Sequence, residues 1–256
     1  MSAALLEARS LDIAVPGRTL VSGLGLAVRG GDFLAVLGRN GAGKTLLLLT
    51  LAGLRAPAGG ELALGTAPVA SLPRRLAARR VALLPQDLEP IPDLTALQAV
   101  LLGRFAHASP WTGPGDADRE RAIMAMERVG VAAFAPRRMG TLSGGEQRRV
   151  AAAAAIAQDA PLVLLDEPGN HLDPHHALAV LDAFAAHARA GGAVIATLHD
   201  PTAAARHATR VLLLHGDGRW QLGTPEELLR PATLSELYRT PIFDGRIAGR
   251  RVFVAG

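Results

Sequence analysis

The stretch that most constrains this chain is Gly38-Arg39-Asn40-Gly41-Ala42-Gly43-Lys44-Thr45. It fits the G-x-x-x-x-G-K-[ST] phosphate-binding pattern, and its flanks are the ones that pattern needs. An apolar run, Phe33–Leu37, leads in, and an apolar run of helical character, Leu46–Leu54, leads out. Glycines let backbone N–H groups turn inward around a phosphate chain, and the N-terminus of the following helix adds the positive end of its dipole. The candidate phosphate-contacting positions are Gly38, Asn40, Gly41, Ala42, Gly43, Lys44, Thr45 and Leu46. Lys44 can reach the β- and γ-phosphates, and the Thr45 hydroxyl can ligate Mg²⁺. The bland alternative, a glycine-rich turn that binds nothing, is disfavoured by the flanks. Lys44 is also the only lysine in a chain that otherwise uses arginine. A compact ammonium suits a phosphate pocket better than a guanidinium fork.

Composition closes off other classes. With 256 residues, 49% apolar and 4% aromatic, the chain is expected to form one large globular domain or two small ones. The net charge of +4 comes without a basic stripe interleaved with aromatics. The nearest candidate, Arg74, Arg75, Arg79 and Arg80, reads as a solvated helix face, so no nucleic-acid partner is expected. The absence of cysteine excludes disulfides, thiolate metal sites and a thiol nucleophile. Glu7 and the lack of a basic-then-apolar start argue against a signal peptide. The longest apolar runs, such as Leu46–Leu51 and Val150–Ala157, fall short of the roughly 18 residues that span a bilayer. The expected place is the cytosol, unless a partner holds the chain at a membrane.

Along the chain, residues 5–15 and 20–29 alternate apolar and polar side chains around Pro16-Gly17, predicting antiparallel strands joined by a turn. A strand over 32–37, the phosphate loop, a helix over 43–54 and a short strand over 61–64 follow. An arginine-rich helix over 73–79 precedes the apolar run Val81–Leu84, which ends at Pro85-Gln86. From about 88 to 160 the pattern turns helical, with runs at 95–105, 116–129 (opened by Asp116 as N-cap) and 143–157, and no strand signal. Strand-type runs resume at 161–165 and 193–198, with a helix over 174–190 between them. Segments 211–214 and 219–222 flank Gly216-Asp217-Gly218 as a hairpin. Thr224–Glu227 is a capping box with proline at the first helical position. A helix over 233–238 and a strand over 250–254 close the chain. The expected division is an α/β core with a β subdomain from 1–87 and 161–256, interrupted by a helical insertion over 88–160.

Four of the apolar runs (33–37, 81–84, 162–165 and 193–198) have the continuous hydrophobicity of parallel strands covered on both faces. Each leads into a group capable of chemistry: the phosphate loop, Gln86, Asp166-Glu167 and His199. Ligands of open α/β sheets bind beyond the carboxyl ends of the strands, so these groups should converge. Asp166 can hold Mg²⁺ and Glu167 can orient the attacking water. Taken alone, an Asp-Glu pair after a strand is equally well a helix cap. His199 can stabilise charge on the γ-phosphate, and the Gln86 amide can touch Mg²⁺ or water.

Leu142-Ser143-Gly144-Gly145-Glu146 opens a helix and makes a second anion-binding N-terminus about a hundred residues after the first. One phosphate loop has no need of two such sites, so the natural user is a nucleotide held by another copy. With GRNGAGKT, Gln86, LVLLDE, Asn170-His171-Leu172-Asp173 and His199, in this order and spacing, the whole chain resembles the ATP-binding-cassette ATPases. That resemblance implies a RecA-like P-loop NTPase core with a parallel central sheet, an N-terminal antiparallel β subdomain and an inserted helical subdomain. It implies ATP and Mg²⁺ as ligands, with Thr45, Gln86 and Asp166 on the metal and Glu167, His199 and Gln86 in hydrolysis. Two copies would sandwich two ATP head to tail. Ser143, Gly144, Gly145 and Glu146 would lie on the partner's γ-phosphate, and Leu172-Asp173 would form a loop crossing the interface. Gln86 would link the site to the helical insertion, which touches two membrane-spanning permease subunits and, through them, a substrate-binding protein. The place implied is the cytoplasmic face of the membrane.

The chain departs from the family pattern where an aromatic usually stacks on adenine, which here reads Ile13-Ala14-Val15-Pro16-Gly17, leaving Val15 or Pro16 to substitute. Leu46 replaces a small hydroxyl residue, and Gly169 stands where Thr or Ser is common. His171, His175 and His176 are read as interface residues in preference to a metal site. The segments 94–104, 198–208, 223–229 and 234–238 resemble the cassettes of importers for iron–siderophore complexes, haem and cobalamin. Siderophore iron is the first expectation, with cobalamin or haem as alternatives. A soluble non-transport cassette would carry a second cassette or a coiled-coil insertion, and a P-loop kinase has no use for LSGGE.

Overall fold

A computed structural model describes residues 3–89, 91–109 and 111–256. β1 (Ala4–Val15) and β2 (Arg18–Arg29) pair antiparallel around Pro16-Gly17, with Gly17 at φ 75°. β3 (Phe33–Gly38) runs into α1 (Lys44–Leu51). β4 (Gly59–Leu64), β5 (Ala67–Pro68), α2 (Arg74–Ala78) and β6 (Val81–Leu84) follow. Next come α3 (Ala96–Leu101), α4 (Asp116–Arg128) and α5 (Gly144–Ala157). The chain then alternates through β7 (Leu162–Asp166), α6 (Pro174–Arg189), β8 (Ala193–Thr197), α7 (Pro201–His207), β9 (Arg210–Leu214) and β10 (Trp220–Gly223). It ends with α8 (Pro225–Leu228), α9 (Pro231–Tyr238), β11 (Ile242–Ile247) and β12 (Arg250–Ala255).

Among the described residues the strands form three sheets. The central one has the order β10-β9-β3-β8-β7-β6, parallel except for β10. A second, antiparallel sheet has the order β2-β1-β4-β5, and β11-β12 is a separate hairpin. The period-2 geometry of strands divides the central sheet between two cores. Phe33, Ala35 and Leu37 of β3, with Val163 and Leu165 of β7, face the side of α5 and α6, where Val150, Val180 and Phe184 are buried. Leu34 and Val36, with Leu162 and Leu164, face α1 and the antiparallel sheet, where Leu47, Leu48 and Leu51 meet Leu6, Leu11 and Ile13. Both faces of the sheet are thus dry, which is why its strands read as unbroken apolar runs. α3, α4 and α5 pack on one another through Leu97, Val100, Ala125, Met126 and Ala153. Arg104, 4% exposed, ties this group together by donating to Asp118 Oδ1 (2.8 Å) and Ala157 O (2.8 Å).

Some local expectations are corrected. Asp116 does not cap α4. Gly115 occupies the N-cap in an extended conformation, and Asp118 reaches back to accept its N–H at 3.1 Å. The helix expected over 95–105 is α3 followed by a 3₁₀ turn at Leu102–Arg104. β9 is both half of the predicted hairpin and a fifth parallel strand beside β3. The final strand has a partner, β11, that the polar-looking stretch Ile242–Ile247 did not announce.

Candidate nucleotide-binding and catalytic site

β3 ends at Gly38, where a Cβ would stand 2.6 Å from Leu214 O, so the loop can leave beside β9 only with glycine there. Gly41 (φ 76°) and Gly43 (φ 98°) hold left-handed conformations that turn the backbone around the loop's interior. Gly43 is the N-cap of α1 and offers no side chain, so the N–H groups of Lys44, Thr45 and Leu46 are left for a ligand. Lys44 is 6% exposed, and its Nζ donates to Gly38 O at 2.8 Å and Arg39 O at 3.4 Å. Burial pushes its ammonium below the usual lysine range, while the carboxylates of Glu167 and then Asp166 oppose that shift.

The second part of the site comes from the ends of β7 and β8. Asp166, 2% exposed, accepts a hydrogen bond from Thr197 Oγ1 at 2.6 Å, and the same hydroxyl accepts from the Glu167 N–H at 2.9 Å. Glu167 sits at φ 50°, a left-handed conformation costing a non-glycine residue about 1–3 kcal/mol. Its side chain is engaged at both ends: Glu167 Oε1 lies 2.5 Å from His199 Nε2, and Asn170 Nδ2 donates to Oε2 at 3.4 Å. The carboxylate is therefore held at both oxygens, with His199 half exposed above it.

These segments share one cleft of about 630 Å³. Asn40, Gly41, Gly43, Lys44, Thr45, Leu46, Gln86, Glu167 and His199 line it, with Val15, Arg18 and Leu20 at its N-terminal rim. The convergence expected from the four strand ends is thus observed for the phosphate loop, Gln86, Glu167 and His199. Asp166 sits behind them, engaged with Thr197. A larger cleft of about 800 Å³, lined by Arg9, Thr50, Arg55 and Glu61, lies elsewhere against α1 and the antiparallel sheet and contains none of these groups.

The Ser143 segment does not join the cleft. Ser143 caps α5 through a reciprocal box: its Oγ accepts from the Glu146 N–H at 3.3 Å, and Glu146 Oε2 accepts from the Ser143 N–H at 2.7 Å. The Ser143 N–H, then its hydroxyl, hold the Glu146 carboxyl below the usual range. Ser143 and Gly144 are exposed, and Gly145 packs close beneath His171 O and Leu172. Asp173 caps α6, accepting from the His176 N–H at 3.0 Å and pairing with His176 Nδ1 at 2.6 Å. The His175 ring stands edge-on to His176. Among the described residues no group of three or more His, Cys, Asp or Glu side chains is placed to hold a metal ion by itself.

A family model of the ABC transporter matches residues 21–170, more than half the chain. This chain belongs to the ABC transporter family. Its activity is ATP hydrolysis coupled to transport. It is 40% identical over 240 residues to the hemin import ATP-binding protein HmuV of Streptomyces coelicolor, covering 93% of this chain and 84% of that one. It is 36% identical over 245 residues to the cobalamin import ATP-binding protein BtuD of Halobacterium salinarum, covering 95% of this chain but only 60% of that longer one. Among solved structures, it resembles a metal-chelate type ABC transporter in an inward-facing conformation. There the TM-score is 0.85 at 27% identity, over 98% of this chain and 97% of that one.

Within this ABC ATPase, three residues in contact with the cleft groups escaped the sequence. Thr197 is an apolar-strand threonine whose hydroxyl bridges Asp166 and Glu167; nothing in its flanks marks it. Asn170 stands out in the sequence only as part of a motif, with nothing to mark it as a group holding Glu167. Arg18 lines the cleft with its guanidinium held by Gly216 O, through Nε at 3.0 Å and Nη2 at 2.5 Å. In a chain this rich in arginine, composition hides such residues.

Proposed function

We propose that this ATPase powers an importer of metal chelates, working as a pair of copies that enclose two ATP beneath two permease subunits fed by a substrate-binding protein. The carrying observation is that the site is split. Lys44, Glu167 and His199 share a cleft, while the exposed N-terminus of α5 lies outside it. A partner's Ser143 turn is what would close the open side.

The residues present fit MgATP: first-turn N–H groups of α1 without side-chain caps, one buried ammonium, the Thr45 hydroxyl in the same turn and the Asp166 carboxyl at the end of β7. Thr45, with Asp166 and Gln86, would hold Mg²⁺, which when bound neutralises charge on the phosphate oxygens. The N–H groups of Gly41 and of Gly43 to Leu46 bind the phosphates, while that of Ala42 closes the loop on Arg39 O (3.1 Å), and Lys44 counters the phosphate charge. Glu167, fixed by His199 and Asn170, orients and polarises the attacking water. Val15, Arg18 and Leu20 offer the base an aliphatic and guanidinium surface in place of an aromatic ring. Ser143, Gly144, Gly145 and Glu146, with Asp173 beside them, serve the partner's nucleotide.

Among the described residues no helix is long and apolar enough to cross a membrane. We place the chain on the cytoplasmic face, held there by its permease, without a nucleic-acid partner. The cargo class follows from the hemin, cobalamin and metal-chelate relatives. Iron–siderophore complexes belong to the same class, and uptake assays with the three cargoes in a deletion strain decide among them. The catalytic assignment is tested by Glu167→Gln. ATP binding is retained, turnover falls by about a hundredfold or more, and closed dimers accumulate on size exclusion. Normal turnover in that variant removes Glu167 from the mechanism.

A further inference from the structure

Arg148 lies in the second turn of α5, 3% exposed, and forms no ion pair among the described residues. The two terminal nitrogens of its guanidinium are spent on four main-chain carbonyls, while Nε is buried without a partner among the described residues. Nη1 donates to Pro85 O and to Gln86 O (2.8 Å); Nη2 donates to Asp166 O (2.6 Å) and Glu167 O (2.9 Å). These carbonyls come from the two segments that bring Gln86 and Glu167 to the cleft. A planar fork with fixed N–H directions is the side chain suited to holding two backbone segments at a set separation. The residue before it, Gln147, braces the other side of the same turn by donating to Met139 O (2.9 Å) and Leu142 O (3.1 Å). The helix begun by Ser143 is therefore fastened at neighbouring positions to its own lead-in and to the floor of the cleft. Arg149, by contrast, turns away to Gly130 O and the Phe134 ring.

We propose that Arg148 is a positioning residue for hydrolysis, locking the main chain at Gln86 and Glu167 to each other and to the helix that Ser143 opens. This rests on the reading of Glu167 and Ser143 given above. Through it, a force on the Ser143 turn from the partner's nucleotide reaches the Glu167 peptide of the same chain without passing through solvent.

The test uses two variants of the full-length chain. Arg148→Lys keeps the charge without the fork, and Arg148→Gln keeps two donors without the charge. Each is assayed for MgATP hydrolysis, for binding of a fluorescent ATP analogue, and for amide hydrogen exchange. In Arg148→Gln, turnover is expected to fall about ten- to a hundredfold, less in Arg148→Lys, while affinity for the analogue stays within about twofold. Exchange should rise together in segments 85–88 and 166–170. Wild-type turnover in both variants overturns the proposal. So does a parallel loss of affinity and turnover, or an exchange increase spread through α3–α5, the signature of a general folding defect. If Glu167→Gln hydrolyses ATP normally, the catalytic assignment falls instead. The joint exchange response of the two segments still decides whether Arg148 ties them.

Discussion

At the start of α1 the chain curls around left-handed glycines; at the start of α5 it does not, and Ser143 and Gly144 stand exposed on the surface. Gly41 and Gly43 take left-handed conformations, and Gly43 caps the helix with no side chain. Gly144 and Gly145 have no such conformation, and a Cβ on Gly144 would meet nothing within 4 Å. The first helix start leaves its N–H groups without side-chain caps and buries a lysine beside them. The second satisfies part of its own need through Ser143 and Glu146 and keeps the rest on the surface. The same physical device, a helix N-terminus offering N–H groups, thus appears once inside the cleft and once on the open surface, and in the proposed function the two serve as cradle and lid for an anion. On that proposal neither makes a complete site alone, and disabling each half separately has different expected effects.

Lys44→Ala should have the larger effect. Removing the buried ammonium is expected to weaken ATP binding by on the order of a hundredfold and to abolish measurable turnover, read by equilibrium binding and phosphate release. If the alanine variant binds ATP like wild type, the α1 start is not the cradle.

Ser143→Arg should leave nucleotide binding to the isolated chain unchanged and still remove most turnover, because the obstruction falls on another copy's nucleotide. The sharper form mixes the two inactive variants. A mixed dimer holds one site built from an intact Lys44 of one chain and an intact Ser143 of the other, so turnover absent from both variants alone should reappear. A mixture that stays dead, although Ser143→Arg binds ATP, means that the α5 start does not act on a second copy.

How much of this was legible beforehand follows the same divide. The inward half announced itself, because a phosphate loop must place particular residues in consecutive positions and because β3, β7 and β8 carry apolar runs that only a doubly covered sheet needs. The outward half is legible only as a motif, since nothing in the same chain's cleft meets it. What the sequence hid were contacts made across the fold. Thr197 matters because β8 lies beside β7 with Asp166 opposite it, a register fact. Arg148 matters because α5 crosses the segment after β6 and the end of β7, 62 and 18 residues away in sequence. Pro225 and Thr224 marked α8 correctly because their signal is local, while β11 pairs through a strand with an aspartate and a glycine in it, which no local rule favours.

The smallest test separates capping from ligand binding at the α5 start. Glu146 is held below the usual carboxylate range by the Ser143 N–H and hydroxyl, so its ionised form is favoured by folding. A depressed folded-state value means stability that is fully present above the unfolded pKa of about 4.3, and that is lost as pH falls from there through the folded value. Glu146→Gln preserves the shape of the box and removes the charge. In nucleotide-free thermal or denaturant unfolding, wild type should exceed the variant by about 0.3–1 kcal/mol at pH 7, the size of a carboxylate's interaction with a helix N-terminus. The gap should close below about pH 4. A gap independent of pH would show that the Glu146 charge does not stabilise the folded chain. The Ser143–Glu146 box would then act through the shape of its hydrogen bonds alone, with no contribution from charge at the outward helix start.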